Sequence, residues 1–316
     1  MRTASIVHWP HAIGIRQRNL IEGVWRLVDP KIALASVIPF LAGLALAIDQ
    51  GGSIRWGIAF AAFAAIFLVE VGKNAVNDLC DFTSDVAVRP HERSPFSGGK
   101  RVLVGMLLTE RDLVVIAWIA FIAAGAIGSE VARRSNPMLL LLGAAAAAIS
   151  ILYAAPPVKL ASRGLGELAV GCVYGPGIVL GTLVLFDASV IAEAVFVSIA
   201  LGMLIANVLL INEIPDERAD AQAGKRTLIV RLGRDRGETL IGLVFANAFA
   251  IPLVVAAYGL IPFRVAAMLA GAPAAALAMV MLTRTRTGPP VAAQALTLLT
   301  YVLTGTAFAA VILLSR

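Results

Sequence analysis

Charge, cysteine and histidine are all scarce in this chain of 316 residues. Only 15% of it is charged, where a soluble protein carries about a quarter; with 59% hydrophobic residues, that excludes a water-soluble globular domain. The two cysteines, Cys80 and Cys172, fall in a predicted loop and inside an apolar run, so no disulfide framework is expected. The three histidines, His8, His11 and His91, have no metal-ligand spacing, and no imidazole-built metal centre is assigned. Residues 1–30 lack a continuous apolar core ending in a small-residue cleavage site, so no cleaved signal is expected there.

What the chain does have is long apolar runs. Nine reach the roughly 17–25 residues needed to cross the hydrocarbon of a bilayer as a helix: about 32–49, 54–72, 112–131, 137–155, 166–187, 189–211, 238–258, 262–282 and 291–314. The expected fold is all-α, a polytopic membrane protein with nine transmembrane helices in a single bundle and a cytoplasmic-side cap of loops and short helices. Residues 1–316 form one domain in this reading. Residues 1–30 make a cytoplasmic or interfacial segment, with Trp9, Ile13, Ile15, Leu20, Ile21, Trp25 and Leu27 apolar and Arg16, Arg18 and Arg26 basic.

All but five of the 26 lysines and arginines fall on one side of these runs, the exceptions being Arg55, Arg133, Arg134, Arg264 and Arg316. By the positive-inside rule the N-terminus is cytoplasmic, in an inner or cytoplasmic membrane. The net charge of +6 needs no nucleic acid to account for it. A basic face meets anionic lipid headgroups or an anionic substrate.

Two connections on that side are long, 73–111 and 212–237, and both open on an asparagine and a set of aspartates. Their spacing is the same: Asn77-x3-Asp81-x3-Asp85 and Asn212-x3-Asp216-x3-Asp220, each followed by Gly-Lys-Arg at 99–101 and 224–226. Steps of four turn a helix by about 40° and climb about 6 Å, so each triplet occupies one helix face. Like charges at that spacing destabilise a helix, and charge at a membrane boundary is costly. A compensating cation is therefore expected.

Oxygen ligands without a neighbouring His or Cys cluster suit Mg2+, which takes a few carboxylates plus oxygens from phosphate and water. Two such clusters could hold two ions. Lys100, Arg101, Lys225 and Arg226, with Arg89, Arg93, Lys159 and Arg163 on the same side, would neutralise the remaining phosphate oxygens. The implied ligand is a diphosphate on an apolar tail, because the acids begin where the apolar runs end. Two other readings of the acids stay open: solvated loop charge, and the ion sites of a cation-coupled transporter, although such sites favour the bilayer midplane.

The stretch Asn77-Asp78-Leu79-Cys80-Asp81-Phe82-Thr83-Ser84-Asp85 resembles the NDxxDxxxD signature of the UbiA superfamily of intramembrane prenyltransferases, and Asp216-Glu217-Arg218-Ala219-Asp220 resembles its second DxxxD. Three further stretches look more like the menaquinone-pathway branch, the 1,4-dihydroxy-2-naphthoate prenyltransferases, than the 4-hydroxybenzoate branch. They are Phe96-Ser97-Gly98-Gly99-Lys100-Arg101, Arg163-Gly164-Leu165-Gly166-Glu167, and Asn212-Glu213-Ile214-Pro215-Asp216 continuing to Gly224-Lys225-Arg226-Thr227-Leu228.

The resemblance implies Mg2+-dependent transfer of an isoprenyl chain from a prenyl diphosphate to an aromatic acceptor. Asp81, Asp85, Asp216 and Asp220 would be catalytic, and Mg2+ would be held by them together with Asn77, Asp78 and Asn212. Lys100, Arg101, Tyr153, Lys159, Arg163, Lys225 and Arg226 are the candidates for binding diphosphate. Arg26 and Lys31 are candidates for an anionic acceptor, with ordinary flanking charge as the alternative, and Trp25, Tyr153 and Tyr174 are candidate chamber walls.

Two departures stand out. Phe82 occupies the place of an arginine that holds diphosphate in the hydroxybenzoate enzymes, so Lys225 or Arg226 is expected to substitute. Tyr153-Ala154-Ala155-Pro156-Pro157-Val158-Lys159 has wider spacing than the family's YxxxK. Glycines at 171, 175, 177 and 181 and the run Ala144–Ala148 provide either close helix packing or room for a prenyl tail. A terpene cyclase of the same superfamily is the alternative outcome, and nothing in the sequence marks an oligomer interface.

Overall fold

The computed structural model describes residues 19–96 and 99–315. The expected roles of Trp9, Ile13, Ile15, Arg16, Arg18 and Arg316 lie outside these residues, as does the side chain of Lys31. Among the described residues there is no strand. An amphipathic helix α1 (Leu20–Val28) leads into α2 (Pro30–Asp49) and α3 (Trp56–Cys80), followed by the short α4 (Phe82–Ala87). Then come α5 (Glu110–Arg134), α6 (Met138–Ala154), α7 (Gly166–Cys172), α8 (Ile178–Leu185) and α9 (Ala192–Glu213). The second half continues with short α10 (Glu217–Gln222) and α11 (Leu228–Leu232), then α12 (Arg234–Ala257), α13 (Ala272–Arg284) and α14 (Val291–Leu314).

Eight helical stretches are long and apolar enough to cross a membrane, and the ninth apolar helix, α6, is shorter at 17 residues. All nine correspond to the apolar runs of the sequence. The main difference is at α3, which runs on to Cys80 instead of stopping near residue 72. Its last turns are polar in sequence but well seated: Asn74 is 5% exposed and its amide donates to the Leu27 carbonyl at 2.7 Å, tying α3 to α1.

The run 166–187 is also not one helix. A π-helical turn at Val173–Gly177 separates α7 from α8. Pro176 lies within it, lacking the N–H that a regular turn requires, and the turn buries Tyr174. Helix α14 packs on α2, α9 and α13, α9 on α7 and α12, and α3 on α5 and α6. Side-chain hydrogen bonds to backbone knit the bundle, as in Tyr301 Oη to the Ala35 carbonyl (2.7 Å) and Asn207 to the Ile241 carbonyl (3.0 Å).

The connections sort to two ends. At one, Arg55 donates to the Arg134 carbonyl and to Ser135, Gln50 bonds Ser189, and Arg264 pairs with Asp49 and Glu193, both at 2.7 Å. The opposite end holds both acidic motifs.

Candidate active site

The two motifs share a fold as well as a spacing. Asn77 ends a long helix, Asp81 sits at the break, and Asp85 lies one turn into the six-residue α4. Asn212, Asp216 and Asp220 repeat that arrangement at the end of α9 and in the six-residue α10. Each motif is therefore helix, break, helix, where the spacing alone implied one continuous helix. Aspartate favours the position preceding a helix, and Pro215 blocks continuation of α9. The backbone still links the turns, with Asp85 N to Asp81 O at 2.9 Å and Asp220 N to Asp216 O at 2.8 Å.

The short helices α4 and α10 pack against each other, and side chains lock them. Lys225 Nζ lies 2.9 Å from Asp81 and 3.8 Å from Asp220, bridging the first motif to the second. Arg218 forks onto Glu92 at 2.9 and 2.7 Å and reaches the Ala87 carbonyl at the end of α4 at 3.0 Å. That pairing holds the Glu92 carboxyl down to about 2.

Both motifs also carry buried oxygens without a hydrogen-bond partner. Asn77 Oδ1, Asp85 Oδ2, Asn212 Oδ1 and Asp216 Oδ1 accept no hydrogen bond from any described residue. Orphaned buried acceptors cost about 1–3 kcal/mol each, so four of them, two from each motif, argue for an absent electropositive partner. Burial first, then neighbouring acids, pushes Asp85 and Asp216 up to about 7. Asp220 is pushed up to about 6, again chiefly by burial.

This donor set fits Mg2+. Its carboxylate and amide oxygens are hard donors of the kind Mg2+ takes together with phosphate oxygens and water, although among the described residues no three His, Cys, Asp or Glu side chains already converge as a metal cage. Gly99 packs on the site: its φ is +67°, and a Cβ there would stand 2.4 Å from both Asp85 carboxylate oxygens. Only glycine meets both conditions.

The remaining sequence candidates are spread more widely. Asp78 directs its oxygens at the N–H groups of Arg101 (2.6 Å) and Leu103 (2.9 Å), anchoring the loop that carries Gly99. Lys100, expected at the diphosphate, pairs with Asp29, and burial pushes its ammonium down. Arg163 is exposed and donates to the Pro157 carbonyl at 3.1 Å. Arg226 is exposed too, whereas its neighbour Lys225 is the base that meets Asp81. Lys159 occupies a left-handed turn (φ +48°) after a cis Pro156–Pro157 bond. Tyr153, at the end of α6, abuts Gly166 and is close enough to Lys225, Glu213 and Asp81 to feel their charge. Arg26 pairs with Glu22 one turn away at 2.6 Å, largely exposed.

Three residues gain importance from the structure. Arg93, half-buried, reaches the Gly99 carbonyl at 3.5 Å and feels the charges of Asp85 and Asp216 together. Glu70 and Lys73 sit inside the membrane portion of α3. Glu70 was visible as an acid within an apolar run, a signal that marks function by default.

Directly below lies an apolar cavity of about 550 Å3, walled by α2, α3, α5, α6, α7 and α8. It separates the small residues by role. A Cβ on Gly175 would come within 2.4 Å of the Ser198 carbonyl oxygen and 2.6 Å of Gly202 Cα, so that glycine serves helix contact. Gly125, Gly128, Gly143 and Gly181 have open space beside them and line the cavity, as do Ala144–Ala147.

A helical membrane bundle with two oxygen-rich breaks over an apolar chamber defines the class: a multi-pass membrane protein with a polar site set above an apolar cavity. The chain belongs to the UbiA prenyltransferase family, whose pattern matches residues 36–301, and it is an integral multi-pass membrane prenyltransferase. It is similar to the 1,4-dihydroxy-2-naphthoate octaprenyltransferase of Mycobacterium tuberculosis, 32% identical over 229 residues covering 71% of this chain and 75% of the relative. The Bacillus subtilis protein of the same name is 26% identical over 234 residues, 74% of this chain and 73% of the relative. Among solved structures, the UbiA homolog from Archaeoglobus fulgidus bound to DMAPP and Mg2+ shares the fold, with a TM-score of 0.64, 17% identity and coverage of 92% of this chain and 98% of that one.

Proposed function

We propose that this chain transfers an isoprenyl group from a prenyl diphosphate to a hydroxylated aromatic acid of the 1,4-dihydroxy-2-naphthoate type, with Mg2+ as cofactor and two ions in the site. The observation that supports the reading is the Lys225 bridge from Asp81 of the first motif to Asp220 of the second, beside two orphaned buried oxygens in each motif. Names of relatives support the acceptor class, and a fold neighbour bound to DMAPP and Mg2+ supports the donor and the metal.

Asn77, Asp81, Asp85, Asn212, Asp216 and Asp220 would hold the metal, which when bound offsets the charge building on the departing diphosphate. Asp78 is left to the loop it anchors. Lys225 and Arg93 supply fixed positive charge for diphosphate oxygens, taking the part of the arginine that Phe82 displaces. Gly99 holds Asp85 in place. The cavity walls, poor in polar groups, keep water from the allylic cation that forms as the C–O bond opens and diphosphate leaves. An electron-rich ring carbon captures the cation and then loses its proton, or CO2 if it bears the carboxylate, to restore the aromatic ring. By the positive-inside rule the site faces the cytoplasm.

The test is a product assay by mass spectrometry, offering 1,4-dihydroxy-2-naphthoate, 4-hydroxybenzoate and homogentisate with prenyl diphosphates of several lengths. The expected result is a prenylated product of 1,4-dihydroxy-2-naphthoate, its mass showing whether a proton or CO2 was lost, that vanishes with EDTA and returns with Mg2+. A cyclic hydrocarbon made without any acceptor would assign the chain to terpene cyclisation instead. Absence of diphosphate release with every donor contradicts the reading.

A further inference from the structure

One polar cluster stands apart from the acidic head. Glu70 and Lys73 of α3 line the apolar cavity together with Ser36 of α2 and Tyr174 of the π-turn. Glu70 is 5% exposed; its Oε1 accepts from the Ser36 hydroxyl, the Tyr174 hydroxyl stands close enough to interact with the carboxylate, and Oε2 has no partner at hydrogen-bond distance among the described residues. Lys73 Nζ donates to Tyr174 Oη at 3.1 Å and stands 5.6 Å from the ring centroid. Together those distances put the ammonium beyond the hydroxyl, off the ring edge, so it bonds the oxygen and does not cover the ring face. An ammonium has three protons to donate, and two remain for another partner.

An acid and a base in a membrane interior normally pair. Here, one helical turn apart, they make no direct ion-pair contact among the described residues; they feel each other's charge, Tyr174 touches both, and each lines the cavity. Helical geometry puts Glu70, Lys73 and Asn77 within an arc of about 60°, with Lys73 about 6 Å and Glu70 about 10 Å along the axis from Asn77. The cluster thus presents one acceptor and one cation to whatever lies in the chamber beneath the acidic head. Flat apolar surface stands beside them in Phe40 and Tyr174.

We propose that Glu70, Lys73 and Tyr174 form the acceptor subsite: a ring hydroxyl donates to Glu70 Oε2, and the carboxylate of a hydroxylated aromatic acid takes the ammonium of Lys73. This deepens the prenyl-transfer reading and rests on it for the identity of the ligand. It also gives the anionic acceptor a buried partner that Arg26, already paired with Glu22, does not offer.

The experiment is equilibrium dialysis of radiolabelled 1,4-dihydroxy-2-naphthoate, and of 1,4-naphthalenediol, which lacks the carboxylate, against the full-length protein in nanodiscs without prenyl diphosphate. Lys73→Met is expected to weaken naphthoate binding about ten- to a hundredfold, the effect of losing one charge-assisted hydrogen bond, and to leave the diol within about twofold. Lys73→Arg should restore part of the loss, and Glu70→Gln should weaken both compounds. In turnover, Lys73→Met raises KM for the acceptor and leaves KM for the prenyl diphosphate nearly unchanged.

Wild-type-like naphthoate binding in both Lys73→Met and Glu70→Gln overturns the proposal. If Lys73→Met does not fold, Tyr174→Phe removes a single hydroxyl from the same contact, and unaltered naphthoate binding in that variant also overturns it. Because binding is read without turnover, the two readings separate. Carboxylate recognition through Lys73 without prenyl transfer sinks the reaction and keeps the subsite; normal transfer with binding blind to the carboxylate does the reverse.

Discussion

Lys225 joins the two halves of the site with one ammonium. Burial works against its charge, yet Asp81 and Asp220 outweigh burial and hold its pKa well above the ordinary lysine value. Removing one partner of a buried pair strands the others. Lys225→Met should therefore lower the thermal unfolding temperature and raise KM for prenyl diphosphate by more than about tenfold, read from melting curves and steady-state kinetics. Normal values of both would show that the bridge carries neither role.

The acids around Lys225 make stability depend on pH. Asp85 and Asp216 rise from 3.8 to about 7, and Asp220 from 3.8 to about 6. A carboxyl whose pKa rises on folding binds its proton more tightly when folded, so its contribution is full below 3.8 and is lost as pH climbs through 6 to 7. Metal-free protein should melt at a higher temperature near about pH 6 than near about pH 8. Added Mg2+ should recover more stability at the higher pH, where the carboxylates are charged. A flat or inverted dependence in melting curves contradicts the buried-acid picture. At this scale, spacing made the motif aspartates legible because repetition is visible in one sequence. Lys73 was hidden, since a hydropathy window stops where Lys73 and Asn74 begin, although the helix continues.

At the scale of elements, the two breaks do what a continuous helix would not. They turn Asp85 and Asp220 off the long helices into α4 and α10, where the two motifs meet. The sequence read as one helix because steps of four satisfy both descriptions over short lengths; Pro215 was the available sign against it. Small residues were legible as such, but their roles depend on what faces them. Gly175→Ala should destabilise by about 1–3 kcal/mol, the usual effect of forcing a methyl into close packing, because Ser198 and Gly202 backbone atoms occupy that space. Gly181→Ala, with nothing nearby, should keep wild-type stability and instead shift the preferred prenyl chain length downward. Denaturation curves with product profiles check both, and equal destabilisation of the two variants would contradict this division.

Across the whole molecule, nine apolar runs emerged from hydropathy, because lipid leaves few alternatives for the backbone. The loops around Arg55 and Arg264 gather at the end of the bundle opposite the acidic motifs. The meeting of one motif from each half was not legible, since nothing local encodes which long helices become neighbours. On this reading the two motifs act as one catalytic site. Steady-state prenyl transfer by Asp81→Asn, Asp216→Asn and the double variant tests it most directly. Each single change is predicted to lower kcat by about a thousandfold, with the double variant falling little further, as for groups that work as a unit. Losses that multiply in the double variant, or near-normal turnover in either single one, would contradict it.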